Sequence, residues 1–298
     1  MKFNLIRLRA NIMLFVTAFI WGVTFVAQKS AMDFLGPFMF NGLRCLFGSL
    51  SLFLLSLVIK HGKISNKPSK NRKNLVEGSI IAGVLLFLAT TLQQIGIVDS
   101  TAGKAGFITS LYIVLVPLFS LISGKRVTRY VWIGVILALI GLYLLCVNGA
   151  FGIGKGDLII LFSAVFFALH IMCISKYAKK VDSIKLSCLQ FFFAGIFATI
   201  LGLIFEQTKI TDIYNCLKEL FYAGVLSCAV AYTLQIKAQK NVRPYIASLI
   251  LSLESVFAVL AGFLILNETL TIKEATGCVL MFMAVFVAQF HSKSSNKT

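Results

Sequence analysis

Ten apolar runs, each close to the length a helix needs to cross a bilayer, dominate this chain. About 20 residues at about 1.5 Å each span roughly 30 Å of hydrocarbon. Bounded by charge or by Gly and Pro, the runs cover 11–30, 36–59, 75–97, 101–123, 129–148, 156–175, 184–205, 217–238, 244–266 and 272–290. The expected fold is an all-α integral membrane protein of ten transmembrane helices. A soluble globule is excluded, because 58% of the 298 residues are hydrophobic and 13% are charged.

The net charge of +17 does not point to nucleic acid. The basic residues sit in short clusters between the apolar runs, so they form no continuous basic face. Taken alternately, one set of loops holds Lys2, Arg7 and Arg9, then Lys60, Lys63, Lys67, Lys70, Arg72 and Lys73, then Lys125, Arg126 and Arg129. It goes on with Lys176, Lys179, Lys180 and Lys185, then Lys237, Lys240 and Arg243, and ends with Lys293 and Lys297. The other set has Lys29, Lys155, Lys209, Lys218 and Lys273. Short cytoplasmic loops carry the excess of Lys and Arg, so both termini are expected in the cytoplasm and the span count is even. The first run lacks a small-residue cleavage site and reads as a helix, not a signal peptide. The seven cysteines are scattered and include no CxxC pair, so neither a disulfide framework nor a zinc site is expected.

The two halves resemble each other. Ala89, Thr91, Leu92 and Gln93 match Ala231, Thr233, Leu234 and Gln235 as a shared A-x-T-L-Q string; Gly42-Leu43-Arg44 with Phe47 falls over Cys188-Leu189-Gln190 with Phe193. Gly124-Lys125-Arg126-Val127-Thr128 with Gly134 falls over Asn267-Glu268-Thr269-Leu270-Thr271 with Gly277. Five spans per unit put the second unit into the membrane from the other side, an inverted repeat of residues 1–150 and 151–298 that can expose one central site to each face in turn.

These features resemble the drug/metabolite transporter superfamily, in particular its EamA-type ten-helix members. The resemblance rests on Phe19-Ile20-Trp21-Gly22, Arg44, Gln94-Ile95-Gly96, the stretch Ser100 to Thr109, Leu115-Val116-Pro117, Ala247 to Glu254, and Asn267-Glu268. It implies a secondary carrier of small organic metabolites such as amino acids, with export the usual direction, in the bacterial cytoplasmic membrane. It also implies a cavity lined by the first, third, fourth, sixth, eighth and ninth helices. Two departures stand out. Ser255 occupies a place where proline is common, so a straighter ninth helix is expected, and Lys125 occupies one where an acid is common.

Physical cost selects the candidate residues. Glu254 lies about eleven residues into its span, near the midplane, and fits either a proton-titrating coupling group or a structural hydrogen bond. Arg44 is too deep to snorkel easily and is expected to pair, as is its repeat mate Gln190. Lys104 is near enough to the interface to snorkel, yet is flanked by Gly103 and Gly106, which permit close approach. Thr90, Thr91, Gln93 and Gln94 form one polar band and Tyr232, Thr233 and Gln235 another, suited to lining a cavity or to joining helices. His170 overlays Thr24, one turn beyond Trp21. These two, with Trp21 and Tyr112, complete the cavity candidates, against plain packing as the alternative. Small-residue spacings at Gly78/Ala82 and Ala258/Gly262 allow close crossings within the chain or between two copies, so a homodimer is one arrangement they permit. The Lys60–Lys73 loop suits anionic lipid, although topology alone accounts for it.

No HExxH, GxSxG or Walker-type motif occurs, and His61, His170 and His291 are dispersed, so a membrane enzyme, an ATP-driven pump, a metal and a cofactor are not expected. Nor does any filter-like loop or charged ring suggest a channel. A passive facilitator or solute exchanger is the remaining alternative.

Overall fold

A computed structural model describes residues 2–62, 72–100, 102–146, 154–265 and 271–290. Every regular element among them is helical: α1 (Lys2–Ala31), α2 (Pro37–Gly62), α3 (Arg72–Val98), α4 (Ala102–Ser110), α5 (Tyr112–Ile122), α6 (Arg129–Cys146), α7 (Lys155–Tyr177) and α8 (Ser183–Phe205). There follow α9 (Ile210–Asn215), α10 (Leu217–Phe221), a π-helical stretch Tyr222–Ala231, α11 (Tyr232–Gln239), α12 (Pro244–Leu251), α13 (Glu254–Ile265) and α14 (Ile272–Phe290). Side chains of Lys2, Lys60, His61, Lys63, Lys67, Lys70, Thr101, Gly103, Cys146, Asn148, Gly262, Asn267, Glu268, His291, Lys293 and Lys297 lie outside the described residues.

Among the described residues, nine helical stretches are long and apolar enough to cross a membrane, and Arg129–Leu145 is apolar but shorter. That shorter helix packs along α14. Its backbone approach depends on glycine: a Cβ on Gly141 would come within 2.9 Å of the Gly277 carbonyl oxygen, and one on Gly277 within 2.7 Å of Gly141. Other tight pairs are α2 with α8, α3 with α7 and α8, and α1 with α13.

The chain is apolar outside, and polar side chains are buried within its apolar core. Ile12, Phe15, Phe19, Phe53, Leu54, Ile136, Ile140, Leu203 and Phe205 are exposed, while Thr17, Gln28, Asn41, Arg44, Gln94, Gln190 and Glu254 are buried. Lipid solvates the first set, and only protein or enclosed water can satisfy the second. The protein is therefore an integral, multi-pass membrane protein. Contacts fix which helix ends meet. At the basic end Asn11 bonds Gln289 at 2.7 Å and the Tyr177 hydroxyl donates to Glu77; at the opposite end Ser100 bonds Asp157 and the backbone nitrogens of Phe38 and Met39 donate to Glu206.

Three of the expected continuous spans are interrupted. The run 101–123 breaks at Leu111, between α4 and α5; 217–238 passes through the π-helical stretch; and 244–266 breaks at Ser252 and Leu253, between α12 and α13. The last break corrects the expectation of a straighter ninth helix. Serine does the work there without proline: the Ser248 and Ser252 hydroxyls donate back to Tyr245 and Leu249 carbonyls at 3.0 and 2.9 Å, competing with the helical ladder. α5 ends on Gly124 at φ +73°, where the Gly124 and Lys125 nitrogens return to Leu121 and Ser120 carbonyls, the left-handed stop that glycine accepts without strain.

Candidate functional site

The two broken segments meet at the centre of the bundle. Ser110, the last residue of α4, lies 2.8 Å through its hydroxyl from the Ser255 hydroxyl, and Ser255 donates to the Gly106 carbonyl at 3.0 Å. Tyr112, the first residue of α5, donates to Glu254 Oε1 at 3.0 Å, and Ser110 reaches the same oxygen at 3.4 Å. So Glu254, 3% exposed, is held between the ends of two half-helices. α1 reaches this junction because Gly22 lacks a side chain. A Cβ there would stand 2.6 Å from the Glu254 carbonyl oxygen and 2.8 Å from the Ala258 nitrogen.

Glu254 opens on a cavity of about 40 Å³, room for about three waters. Arg44 lines the same cavity. Its Nε donates to Asn41 Oδ1 at 3.0 Å and its guanidinium carbon sits 5.4 Å from the Phe40 ring centre. Among the described residues it forms no ion pair, although it is 4% exposed. A guanidinium does not lose its proton in such a place. A fixed cation and a carboxyl group therefore line one small cavity without touching.

A polar belt frames the cation. Asn41 Nδ2 donates to the Thr90 and Thr91 hydroxyls at 2.9 and 2.8 Å. Gln28 Nε2 donates to Gln93 and Gln94, and Gln93 Nε2 donates to Thr109 at 3.0 Å. The other wall is aromatic, with the Tyr232 ring 4.5 Å from Trp21 and 5.1 Å, edge-on, from Phe191. A solute fitting these walls offers charge to Arg44 and Glu254 and a flat or apolar body to the rings.

Of the residues singled out by sequence, Trp21, Thr24, Arg44, Thr90, Gln93, Tyr112, Tyr232 and Glu254 line this cavity. Gln94, Lys104, His170 and Gln235 do not. Gln94 is fully buried against Gln28; His170 pairs with Gln190 at 3.1 Å behind Tyr232. Lys104 neither snorkels freely nor reaches the cavity. It pairs with Asp157 at 2.5 Å, across from α4 to α7, and Asp157 also accepts from Ser100 and the Gly154 nitrogen. Beside this pair, Lys29 donates to the Ile97, Val98 and Ser100 carbonyls.

All six helices expected to line the cavity do so, and two more join them. Arg44 and Cys45 bring in the second span and Phe191 the seventh; α2 packs on the π-helical stretch and α8 on α3. Gln28, Asn41 and Thr109 were not singled out. Gln28 stands one turn beyond Thr24 and Asn41 one turn before Arg44, spacings that place each on the face of a residue already chosen.

Sequence comparison agrees with this architecture. The EamA-like transporter family matches residues 8–147 and 154–289. An "Uncharacterized transporter" of Archaeoglobus fulgidus is 34% identical over 94% of this chain and 86% of its own. The Bacillus subtilis "Uncharacterized transporter YoaV" is 24% identical over 91% and 93%. The "S-adenosylmethionine/S-adenosylhomocysteine transporter" of Chlamydia muridarum is 23% identical over 87% and 85%. A solved structure with 15% identity superposes at a TM-score of 0.75 over 97% of this chain and 99% of that one, which shows a shared fold.

Proposed function

The chain belongs to the EamA-like transporter family, and on that premise we propose that it is a secondary carrier of small zwitterionic metabolites, such as amino acids, working by alternating access. Arg44 and Glu254 carry the reading: a guanidinium and a carboxyl group, not ion-paired with each other, line one cavity and suit a solute with a carboxylate for the guanidinium and an ammonium for Glu254 once it has released its proton. The adjacent pair of Trp21 and Tyr232 suits a flat or cationic substituent. The name of the Chlamydia relative supports the same class, since S-adenosylmethionine contains an α-amino acid.

A cavity of about 40 Å³ is far smaller than the roughly 300 Å³ and upward of an occupied ligand site, so the solute enters only when the bundle rearranges. We propose ten spanning segments, with Arg129–Leu145 as the fifth, arranged as two inverted sets of five. The tandem family matches and the A-x-T-L-Q strings support that arrangement. The basic end faces the cytoplasm of the plasma membrane by charge bias. Export is the direction that the family resemblance implies, and Glu254 is the coupling group, exchanging a proton for the solute's ammonium.

The test is uptake and efflux of a labelled amino-acid panel, with S-adenosylmethionine added, in proteoliposomes with and without a pH gradient. Gradient-driven movement that disappears in Glu254→Gln supports the coupled carrier. Movement indifferent to the gradient in both proteins makes the protein a facilitator or exchanger.

A further inference from the structure

The polar groups in and beside the cavity wall have counterparts in the second half of the chain, and there several polar atoms are bare. The A-x-T-L-Q strings put Thr91 over Thr233 and Gln93 over Gln235; the Arg44 and Gln190 segments put Asn41 over Ser187. Placement along the helices agrees. Arg44 lies seven residues after Pro37, where α2 begins, and Gln190 seven after Ser183, where α8 begins; Thr24 lies seven before the end of α1 at Ala31, and His170 seven before the end of α7 at Tyr177. α2 begins and α1 ends away from the basic end, whereas α8 begins and α7 ends near it. The second set is therefore the first set reflected toward the basic end.

The two sets differ in how they are satisfied. Asn41 is bonded to both threonines and to Arg44, and Gln93 to Gln28 and Thr109. In the reflected set, Ser187 Oγ, Thr233 Oγ1, Gln190 Nε2 and both amide atoms of Gln235 are buried without a partner. Ser187, Gln190 and Gln235 are 0% exposed. Bare polar atoms of this kind are scarce in native interiors because each gives up its hydrogen bonds to water. Here five of them fall on positions matched to a satisfied network, on helices that pack together, α11 lying against α7 and α8. The Tyr232 ring stands between the sets, 4.5 Å from Trp21 on one side and 5.9 Å from His170 on the other.

We propose that Ser187, Gln190, Thr233 and Gln235, with His170, form a second solute station on the basic-end side of Tyr232, collapsed in this conformation and opened when the cavity beside Arg44 closes. This rests on the alternating-access reading. The station takes the polar head of a small solute, with water, through amide and hydroxyl bonds alone. Where the first station has the Arg44 cation, this one has the neutral Gln190, so it holds an anionic group more weakly.

Thiol accessibility tests it. In a chain with its native cysteines replaced by alanine, Ser187→Cys and Gln235→Cys are exposed in sealed vesicles to a membrane-impermeant cationic methanethiosulfonate from each face. The controls are Leu186→Cys and Ile236→Cys, adjacent positions that are also 0% exposed but packed in an apolar cluster. Labelling from the basic face at least about tenfold faster than the controls is expected, because an opened minor state exposes the station and leaves the apolar cluster closed. Labelling no faster than the controls, or only from the other face, overturns the station even if transport persists. Labelling without transport of any solute overturns the carrier reading instead. A second measurement uses native cysteines: Gln235→Leu is expected to raise the melting temperature while slowing solute exchange, since it removes bare polar atoms from the collapsed state only. A lowered melting temperature with unchanged exchange contradicts the station.

Discussion

The Tyr112 hydroxyl donates to Glu254 Oε1 at 3.0 Å, and each of these residues is the first of the helix that resumes after a break in its segment. The bond thus ties two interrupted segments together at their breaks. It also gives the buried carboxylate its best protein partner, since Ser110 lies farther off at 3.4 Å. Any motion that alters the angle between α4 and α5, or between α12 and α13, must stretch or remake this contact.

The first prediction concerns that contact. Tyr112→Phe keeps the ring, which is 2% exposed, and deletes the hydroxyl alone. A hydrogen bond to a charged group is worth about 1.5–3 kcal/mol, so solute-driven turnover should fall about 10- to 100-fold while the protein remains monodisperse. Glu254→Gln should abolish response to a pH gradient and leave solute exchange with a raised KM, since the ammonium loses its charged partner. Initial rates in proteoliposomes decide both; an unchanged rate in Tyr112→Phe would reduce the bond to packing.

Arg44 yields a prediction about which part of the solute matters. Arg44→Gln removes the cation and its forked donors, and should raise the KM for an amino acid by about 10- to 100-fold, the loss expected for one charge-assisted bond. Arg44→Lys should recover only part, because an ammonium cannot both bond Asn41 and present a planar pair of donors. Competition by the matching amine without its carboxylate should be the same in wild type and Arg44→Gln. A variant that loses affinity for both compounds equally would place Arg44 in packing.

Much of this was legible before any coordinates. The apolar runs fall on the nine long apolar helices among the described residues and on the shorter Arg129–Leu145, because in lipid the backbone leaves few choices but helix. The cost of burying charge singles out Arg44 and Glu254, both of which line the cavity. Breaks within helices were not legible. Leu111 carries no signal, with Pro117 six residues on, and the Ser252–Leu253 break depends on hydroxyls turning back on their own turn. The π-helical stretch Tyr222–Ala231 has no composition of its own. Partner choice was also hidden. Asp157 looks like a loop-edge acid in sequence, and only the approach of α4 to α7 delivers it to Lys104.

Gly22 should be intolerant of side chains for a reason independent of transport chemistry. A Cβ would fall within contact distance of backbone atoms at Glu254 and Ala258, which cannot move aside as a flexible side chain can. Gly22→Ala should push α1 from α13, and Gly22→Val should do so further, with an overpacking cost of about 1–3 kcal/mol. Thermal melting of the purified protein in detergent should rank wild type above Ala above Val. Gly106→Ala is the contrast, because a Cβ there meets nothing nearer than 3.7 Å, and it should melt like wild type. Equal melting for Gly22→Ala and Gly106→Ala would mean that the close approach of α1 is not required.

The Lys104–Asp157 pair closes the end of the bundle opposite the basic loops, and its two roles can be separated by charge reversal. Asp157 is both the partner of Lys104 and the acceptor for the Gly154 nitrogen at the start of α7. With Lys104 26% exposed, the ion pair itself is partly screened and worth up to about 1 kcal/mol. Asp157→Asn keeps one acceptor oxygen for the Gly154 nitrogen and turns its NH2 to the Ser100 hydroxyl, which can accept, but loses the charge, so it should favour opening at this end, up to about fivefold by that energy. In the reversal, Lys104→Asp with Asp157→Lys, the ion pair returns while the cap does not, because an ammonium has no acceptor. Opening should then recover toward wild type, yet stability should remain lower by about 1 kcal/mol, the cost of a lost helix cap. Opening is read by the labelling rate of Thr109→Cys, on the cavity wall, from the face opposite the basic loops in a chain without native cysteines. Stability is read by melting. A reversal that restores neither property shows that the pair acts through its exact side-chain shapes; one that restores both removes the capping role from Asp157.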